Sequence, residues 1–287
     1  ASDSASVSAL EDHVDARFGS PTVITTPTSS VIEDATYDST SNWVDSDGAI
    51  TFTFSGCASW MTCADDGNGG AGSISSYTIS GDPVDADVGA TVVTVSAAQG
   101  GQTVQADYTI TVNEKNDEPT LTATGVTTTY TEGDSDLTLF SSANAVDSDS
   151  QVVQDYDVLI ITVTNVADDN EFLVIDTDDC DITAAATCIA NTDTDSAAVV
   201  VTLGGGLPTT ATITITADAG GISESNLEDL IESIKYKNND DSPSVANNRV
   251  ITITSLQDEG GTPNGGDDTV SVTIAATVTV AATDDDP

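Results

Sequence analysis

Acidic side chains grouped in short strings are the residues of this sequence best suited to chemistry. Glu33 stands beside Asp34, Asp45 lies two residues from Asp47, Asp117 adjoins Glu118, Glu132 lies two from Asp134, and Asp147 two from Asp149. Asp258 with Glu259, Asp267 with Asp268, and Asp284 to Asp286 continue the series. An Asp-x-Asp step in a loop can place two carboxylates around one ion, and a third from a neighbouring loop or linker completes the shell. Calcium takes about six to eight oxygens in irregular geometry, whereas magnesium demands a tighter octahedron, so calcium is the cation these strings suit. No string is specific alone. The signal is their repetition at the starts and ends of the domains inferred below.

The same residues dominate the charge: 48 Asp and Glu face 5 Lys and Arg, a formal net charge of -43. Repulsion on that scale opposes compaction and oligomerisation unless salt screens it or cations bind. Many aspartates adjoin Gly, Asn or Ser, which suits turns more than helix faces. Most of the acid is expected to be solvated surface, with a minority holding metal. The balance excludes nucleic acid, whose phosphates need clustered basic contacts, and an anionic membrane surface for the same reason. No apolar run is long enough to span a bilayer, so no membrane insertion is expected.

Other chemistries have weaker support. His13 is the single histidine and lies in a segment without strand pattern, so a Ser-His-Asp or Cys-His arrangement has no convincing base. Paired carboxylates hydrolyse glycosides only when one is held protonated beside a groove, and 48 acids make some suitable-looking pair inevitable. Gly204 to Gly206 and Gly69-Gly70 lack the lysine and helix of a phosphate loop and read as turns. The chain is therefore expected not to be an enzyme. Trp43, Trp60, Tyr77, Tyr130, Tyr156 and Tyr236 could include a sugar-stacking surface, which makes a carbohydrate-binding module, with a surface glycan as partner, the alternative.

The elements that would position the acids are strands. Residues 1 to 20 show no alternation, only Leu10, Val14 and Phe18 at helical spacing, and form an arm that is a short helix, a flexible leader or a docking segment. Thr22 to Val31 reads as a strand broken by Pro27, a residue tolerated at an edge. Ile50 to Ser55 alternates Ile50, Phe52 and Phe54 with Thr51 and Thr53, so one face is buried and one wet. Ser76 to Ser80, Thr91 to Ser96 and Gln105 to Val112 complete a first domain, 21–116. Asn113 to Pro119 breaks the pattern with charge and proline, as a joint should. The second domain, 117–287, has strands at Val158 to Val166, Glu171 to Ile175, Ala197 to Leu203, Ala211 to Ala217, Arg249 to Leu256 and Thr269 to Val280. One helix near 223–235 interrupts them, with Leu227, Leu230, Ile231 and Ile234 as its apolar stripe. Ser225 with Glu228 fits a capping box, Ser223 is the alternative cap, and Lys235 and Lys237 fall near the helix end. Thr277 to Pro287 repeats the strand, acid and proline order of Tyr108 to Pro119, an echo that implies another unit boundary.

Four cysteines allow three connectivities. Pairing of neighbours, Cys57 with Cys63 and Cys180 with Cys188, is favoured because each pair closes a short loop within one domain, and neither spacing nor histidines suggest zinc. The Cys57 to Cys63 segment then reads as a stapled corner with Trp60 or Met61 turned into the core. A disulfide in each domain implies an oxidising, extracytoplasmic compartment.

Asp45 to Gly56 with Ser59-Trp60-Met61, Asn116-Asp-Glu-Pro-Thr-Leu-Thr122, Tyr130-Thr-Glu-Gly133, Val163 to Asp168, Ile234-Lys-Tyr236, Asn248 to Asp258 and Asn264 to Thr269 together resemble the cadherin-like, immunoglobulin-like repeats of large bacterial surface adhesins and biofilm proteins. The resemblance covers about residues 30 to 287. It implies an all-β fold of tandem immunoglobulin-like (cadherin-like) sandwiches, the second with one short helix, exported to the cell surface and binding calcium at their joints. The joint positions carry over to Asn116 and Asp117, with Asp45, Asp47, Asp147 and Asp149 contributing near domain ends. Together with the acidic strings above, the expected metal residues are Glu33, Asp45, Asp47, Asn116, Asp117, Glu132, Asp147, Asp149, Asp258 and Asp267. The disulfides depart from the usual cysteine-free repeat and suggest a subunit of an exposed fibre, with an adhesin segment as the near alternative. The expected partner is a second copy in head-to-tail assembly or a neighbouring repeat, engaged by strand addition through the arm or by calcium at Asp284 to Asp286.

Overall fold

The computed structural model describes residues 20–46, 48–67, 69–70, 72–149, 155–191 and 196–284. Asp47, His13, Asp285, Asp286 and all of the expected arm except Ser20 lie outside them. The chain falls into two compact units, divided between Lys115 and Asn116.

The first unit has strands β1 (Thr22–Val23), β2 (Ser30–Ile32), β3 (Tyr37–Val44), β4 (Thr51–Ser55), β5 (Thr62–Asp65), β6 (Ile74–Gly81), β7 (Gly89–Gln99) and β8 (Gln102–Asn113). They form two four-stranded sheets, β1-β3-β6-β5 and β2-β8-β7-β4. Trp43, Tyr77 and Ile79 from one sheet meet Phe52, Val93, Val95 and Ile110 from the other in a single core. This is a β-sandwich built by alternation. Gly100 and Gly101, both at positive φ, make the two-residue turn between β7 and β8, which other residues would strain. The first strand anticipated from the sequence is in fact two. Thr22 pairs with Val44 in one sheet, while β2 runs parallel to β8 in the other, Ser30 opposite Thr111.

β3 carries little sequence signal, because its inward positions are Tyr37, Ser39, Ser41 and Trp43. The two serines are tolerated in the core because each finds a partner. Ser39 Oγ accepts from Thr28 N–H at 2.8 Å, and Ser41 Oγ donates to the Thr25 carbonyl. Tyr37 Oη donates to Thr28 O at 2.5 Å. These bonds tie the chain between β1 and β2 onto the sandwich. The Cys57–Cys63 disulfide forms as expected and staples the β4 to β5 corner. Met61 is buried there, and Trp60 stands edge-on to Tyr37 with ring centres 5.9 Å apart.

The second unit opens with β9 (Thr120–Gly125), β10 (Thr127–Thr131), β11 (Leu137–Thr138) and β12 (Phe140–Val146). Then come β13 (Tyr156–Val166), β14 (Glu171–Ile175), β15 (Asp178–Asp181), β16 (Ala186–Asn191), β17 (Ser196–Leu203) and β18 (Thr209–Ala217). Helix α1 (Glu224–Ser233), β19 (Lys235–Asn238), β20 (Arg249–Asp258) and β21 (Thr269–Ala281) complete it. A seven-stranded sheet, β10-β21-β20-β13-β18-β17-β16, faces the four-stranded β11-β19-β14-β15 and the pair β12-β9 across one core. β10 lies parallel to β21, Thr127 opposite Thr277. The Cys180–Cys188 disulfide joins β15 to β16, the edge of the larger sheet. Among the described residues the fold is all-β, two β-sandwiches one after the other along the chain, with one α-helix in the second. Among the described residues no helix is long and apolar enough to cross a membrane.

The helix buries Leu227, Leu230 and Ile231, the stripe its spacing predicts. Two local expectations are corrected. Ser223, not Ser225, is the N-cap residue, and Glu228 turns away from the helix start to accept Ala145 N–H of β12 at 3.1 Å. Glu232 does the same for Ala143 at 3.0 Å. Lys235 and Lys237 lie beyond the helix in β19, because Ile234 leaves the helix with extended backbone. Lys237 pairs instead with Asp179.

At one side of this core sits a buried ionic network. Arg249 is fully buried, its Nη2 2.7 Å from Glu171 Oε1 and 2.6 Å from Asp168 Oδ2. Its Nη1 donates to the carbonyls of Ser244 and Asn247. Glu171 also accepts from Tyr236 Oη and from the N–H groups of Ala167 and Asp168. A charge with this many partners is held; one deprived of them is not. Arg249→Ala is therefore expected to lower the unfolding free energy of the second unit by about 3–5 kcal/mol. Removing the exposed Lys237 to Asp179 pair should cost no more than about 1 kcal/mol. Urea unfolding of the two variants checks the contrast.

Candidate functional site

Three segments of the second unit converge at one end of its sandwich: the opening residues Asn116 and Asp117, the loop after β12, and the turn from β20 to β21. Asn116 is the keystone. Its side chain is buried, and its Nδ2 donates to the Asp267 carbonyl at 2.9 Å and lies 3.2 and 3.3 Å from the two oxygens of Asp258. Its carbonyl accepts Asp267 N–H at 3.0 Å. The β20 to β21 turn closes over it so tightly that a Cβ at Gly260 would lie 1.6 Å from Asn116 Oδ1, and one at Gly266 2.4 Å from its carbonyl oxygen. Both positions admit only glycine.

Around this asparagine stand carboxylates. Asp258 is 1% exposed and accepts Gly260 N–H at 2.7 Å. Asp149 is buried and accepts Asp117 N–H at 3.2 Å. Asp147 accepts Asp149 N–H through Oδ1 at 3.3 Å, while its Oδ2 is buried with no hydrogen-bond donor. Burial pushes Asp147 above the usual carboxylate range, and the nearby Asp117 charge adds to it against the pull of backbone N–H groups. Burial likewise raises Asp258 to about 6, with help from Asp147 and Asp268, despite its bonds from Gly260 and Asn116. Asp268, by contrast, is held low by hydrogen bonds from Gln257 and Thr269.

Of the residues expected to hold metal, Asn116, Asp117, Asp147, Asp149, Asp258 and Asp267 come together here. The Asp267 carboxylate accepts Thr269 N–H, so its contribution is its carbonyl and its turn. Glu132 is elsewhere: it accepts Thr283 N–H at 2.9 Å beyond the far end of β21. In the first unit, Glu33 is buried and accepts Lys115 N–H at 2.5 Å. Asp45 is buried at the opposite end of β3, its carbonyl bonded to Gly72 N–H. Asp85 and Asp87, an Asp-x-Asp step like the others, follow Pro83, whose carbonyl accepts Asp34 N–H at 2.9 Å next to Glu33. Among the described residues, no three His, Cys, Asp or Glu side chains already stand in the arrangement of a closed ion site.

The aromatic residues that might have stacked on sugar are largely internal. Trp43, Tyr77, Tyr130, Tyr156 and Tyr236 are buried.

No known family model matches the sequence, and no curated protein matches it. Among solved structures, the chain is similar to human protocadherin-24 EC1-2 at 16% identity, covering 92% of this chain and 99% of that one with a TM-score of 0.38. It is similar to titin A168169 at 11% identity, covering 93% and 100% with a TM-score of 0.30. It is also similar to the endo-fucoidan hydrolase MfFcnA4 of glycoside hydrolase family 107 at 15% identity and a TM-score of 0.28, covering 92% of this chain. The chain spans 29% of that hydrolase's length.

The Asp258 carboxyl makes a prediction for the metal-free protein. Its folded value of about 6 lies above the unfolded value of about 3.9, so between the two the folded chain keeps a proton that the unfolded chain has released. Stability from this group is full below about pH 4 and is lost as pH rises through about 6. With chelator present, the urea midpoint should fall across that window by more in the native sequence than in Asp258→Asn. Equal slopes would remove Asp258 as the cause.

Proposed function

We propose that this chain is an extracellular, non-enzymatic structural module that binds calcium at the carboxylate cluster of its second unit, serving as a stiffened subunit of a cell-surface fibre or a segment of a surface adhesin. The observation that carries the reading is the Asp147 oxygen, buried without a donor beside Asp117 and the sequestered Asp258. Carboxylates drawn out of water and set against one another, with no hydrogen bond to complete one of them, are fitted to a hard cation and poorly fitted to each other. The donor set is all oxygen. Asp117, Asp147, Asp149 and Asp258 would hold the ion, with Asn116 beside them.

A bound calcium ion supplies positive charge that turns repulsion into shared ligation. It would lock the opening residues of the unit to the loop after β12 and to the β20 to β21 turn. Two disulfides fit an oxidising compartment. An exposed module benefits from every such restraint, since binding to the folded state alone raises stability by mass action.

Thermal unfolding tests the proposal. Saturating calcium added to chelated protein, at about 100 times its dissociation constant, should stabilise by roughly 2.7 kcal/mol, which for a unit of this size is about 5–10 °C. Asp147→Asn combined with Asp258→Asn should abolish the shift, and magnesium should give less. An unchanged melting temperature, with no heat of binding by calorimetry, would reject calcium as the ligand.

A further inference from the structure

Among the described residues, the middle of the outward face of the seven-stranded sheet is without charge, Asp157 of β13 lying just beyond the Val158 row. Across four of its strands Thr202, Thr212, Thr162 and Thr252 stand directly opposite one another. The adjacent row runs Val200, Thr214, Ile160. Val200 is 41% exposed and Ile189, on the edge strand β16, 55%. From the Val158 row to the Thr164 row, no outward position on these strands is Asp, Glu, Lys or Arg. The sheets of the first unit differ: Asp38 on β3 and Asp107 on β8 point outward from each.

We propose that this face is a self-association surface, on which two copies of the chain pack sheet to sheet. Charge decides the occupant. At a formal -43, another copy approaching an acidic face meets like charge, whereas here it meets threonine methyls, valine and isoleucine, which leave water at little cost. Threonine hydroxyls, each a donor and an acceptor, can satisfy one another across the contact. Aligned sheets stack about 10 Å apart with strands within about 30°. Seven strands spaced about 4.8 Å and some 20 Å long present roughly 600 Å², so a pair would bury on the order of 1,200 Å², at the lower bound of a stable interface. The contact therefore forms when the remaining repulsion is screened. This inference is independent of the calcium proposal, because none of the cluster residues lies on the face.

Sedimentation of the full chain at about 100 µM, in about 1 M NaCl where the Debye length is near 3 Å, should show a monomer–dimer equilibrium that weakens in low salt. Thr162→Lys with Thr212→Lys sets four cations against each other and should weaken dimerisation by about 100-fold or more. Thr40→Lys with Thr78→Lys, on the outward face of the first unit, should leave it unchanged. If the first pair does not fold, Val200→Lys, at a position already exposed, reads the same face. A chain that stays monomeric in high salt overturns the proposal, as does a dimer indifferent to the face variants. Monomers retained by a neutral polysaccharide column, with retention lost in the variants, would overturn it in favour of a glycan.

Discussion

Repulsion among carboxylates is the constraint under which every part of this molecule is arranged. The strands that make the sandwiches put Val, Ile, Leu and aromatic residues inward and mainly Thr and Ser outward, leaving the acid to the connections. Where a carboxylate nevertheless goes inside, its surroundings differ from place to place. Glu171 and Asp168 have the Arg249 guanidinium, backbone N–H groups and side-chain donors from Tyr236 and Asn238. Asp258 has Gly260 N–H and the Asn116 amide, whereas Asp147 has Asp149 N–H on one oxygen and no hydrogen-bond donor on the other. The first arrangement is complete within the chain. The second has a donor missing.

That contrast separates acid whose oxygens are all partnered from acid with one oxygen left over. Both clusters are buried and both contain several carboxylates, so neither composition nor burial distinguishes them. What distinguishes them is whether each oxygen's bonding capacity is met. By that measure the Arg249 network is an internal brace, holding the 239–248 connection onto the core through Asp168 and Ser244. The cluster at Asn116 is instead held by its backbone, with Gly260 and Gly266 pressed against the asparagine, while its charges remain in opposition.

The fold was legible where alternation is strict. β4, β7, β8, β13, β17, β18, β20 and β21 all follow from period-two runs of Val, Ile, Phe and Thr, and the helix follows from its three-and-four spacing. β3 was not legible, because Ser39 and Ser41 occupy inward positions that a polarity pattern reads as wet; only the hydrogen bonds from the Thr25 to Thr28 segment make them fit. β15 and β19 were hidden for another reason. Asp178, Asp179 and Lys237 give them the look of loops, and the pairing across β14 is what makes them strands. The acidic strings could not sort Glu132, which ends up capping the far end of β21, from Asp147, which joins the buried cluster. Nor could they show that Asp267 would give its carbonyl and not its carboxylate to Asn116. Such sorting depends on which loops share an end of the sandwich, and that is a property of topology.

Each unit pairs an early strand in parallel with its last: β2 with β8, and β10 with β21. Tension applied along the chain would pull the members of each pair in opposite directions, lengthwise. The hydrogen bonds between them then bear the pull in shear and must fail together, whereas an antiparallel hairpin drawn from its open ends peels one bond at a time. Both modules are consequently wired to resist stretching between their second strand and their last.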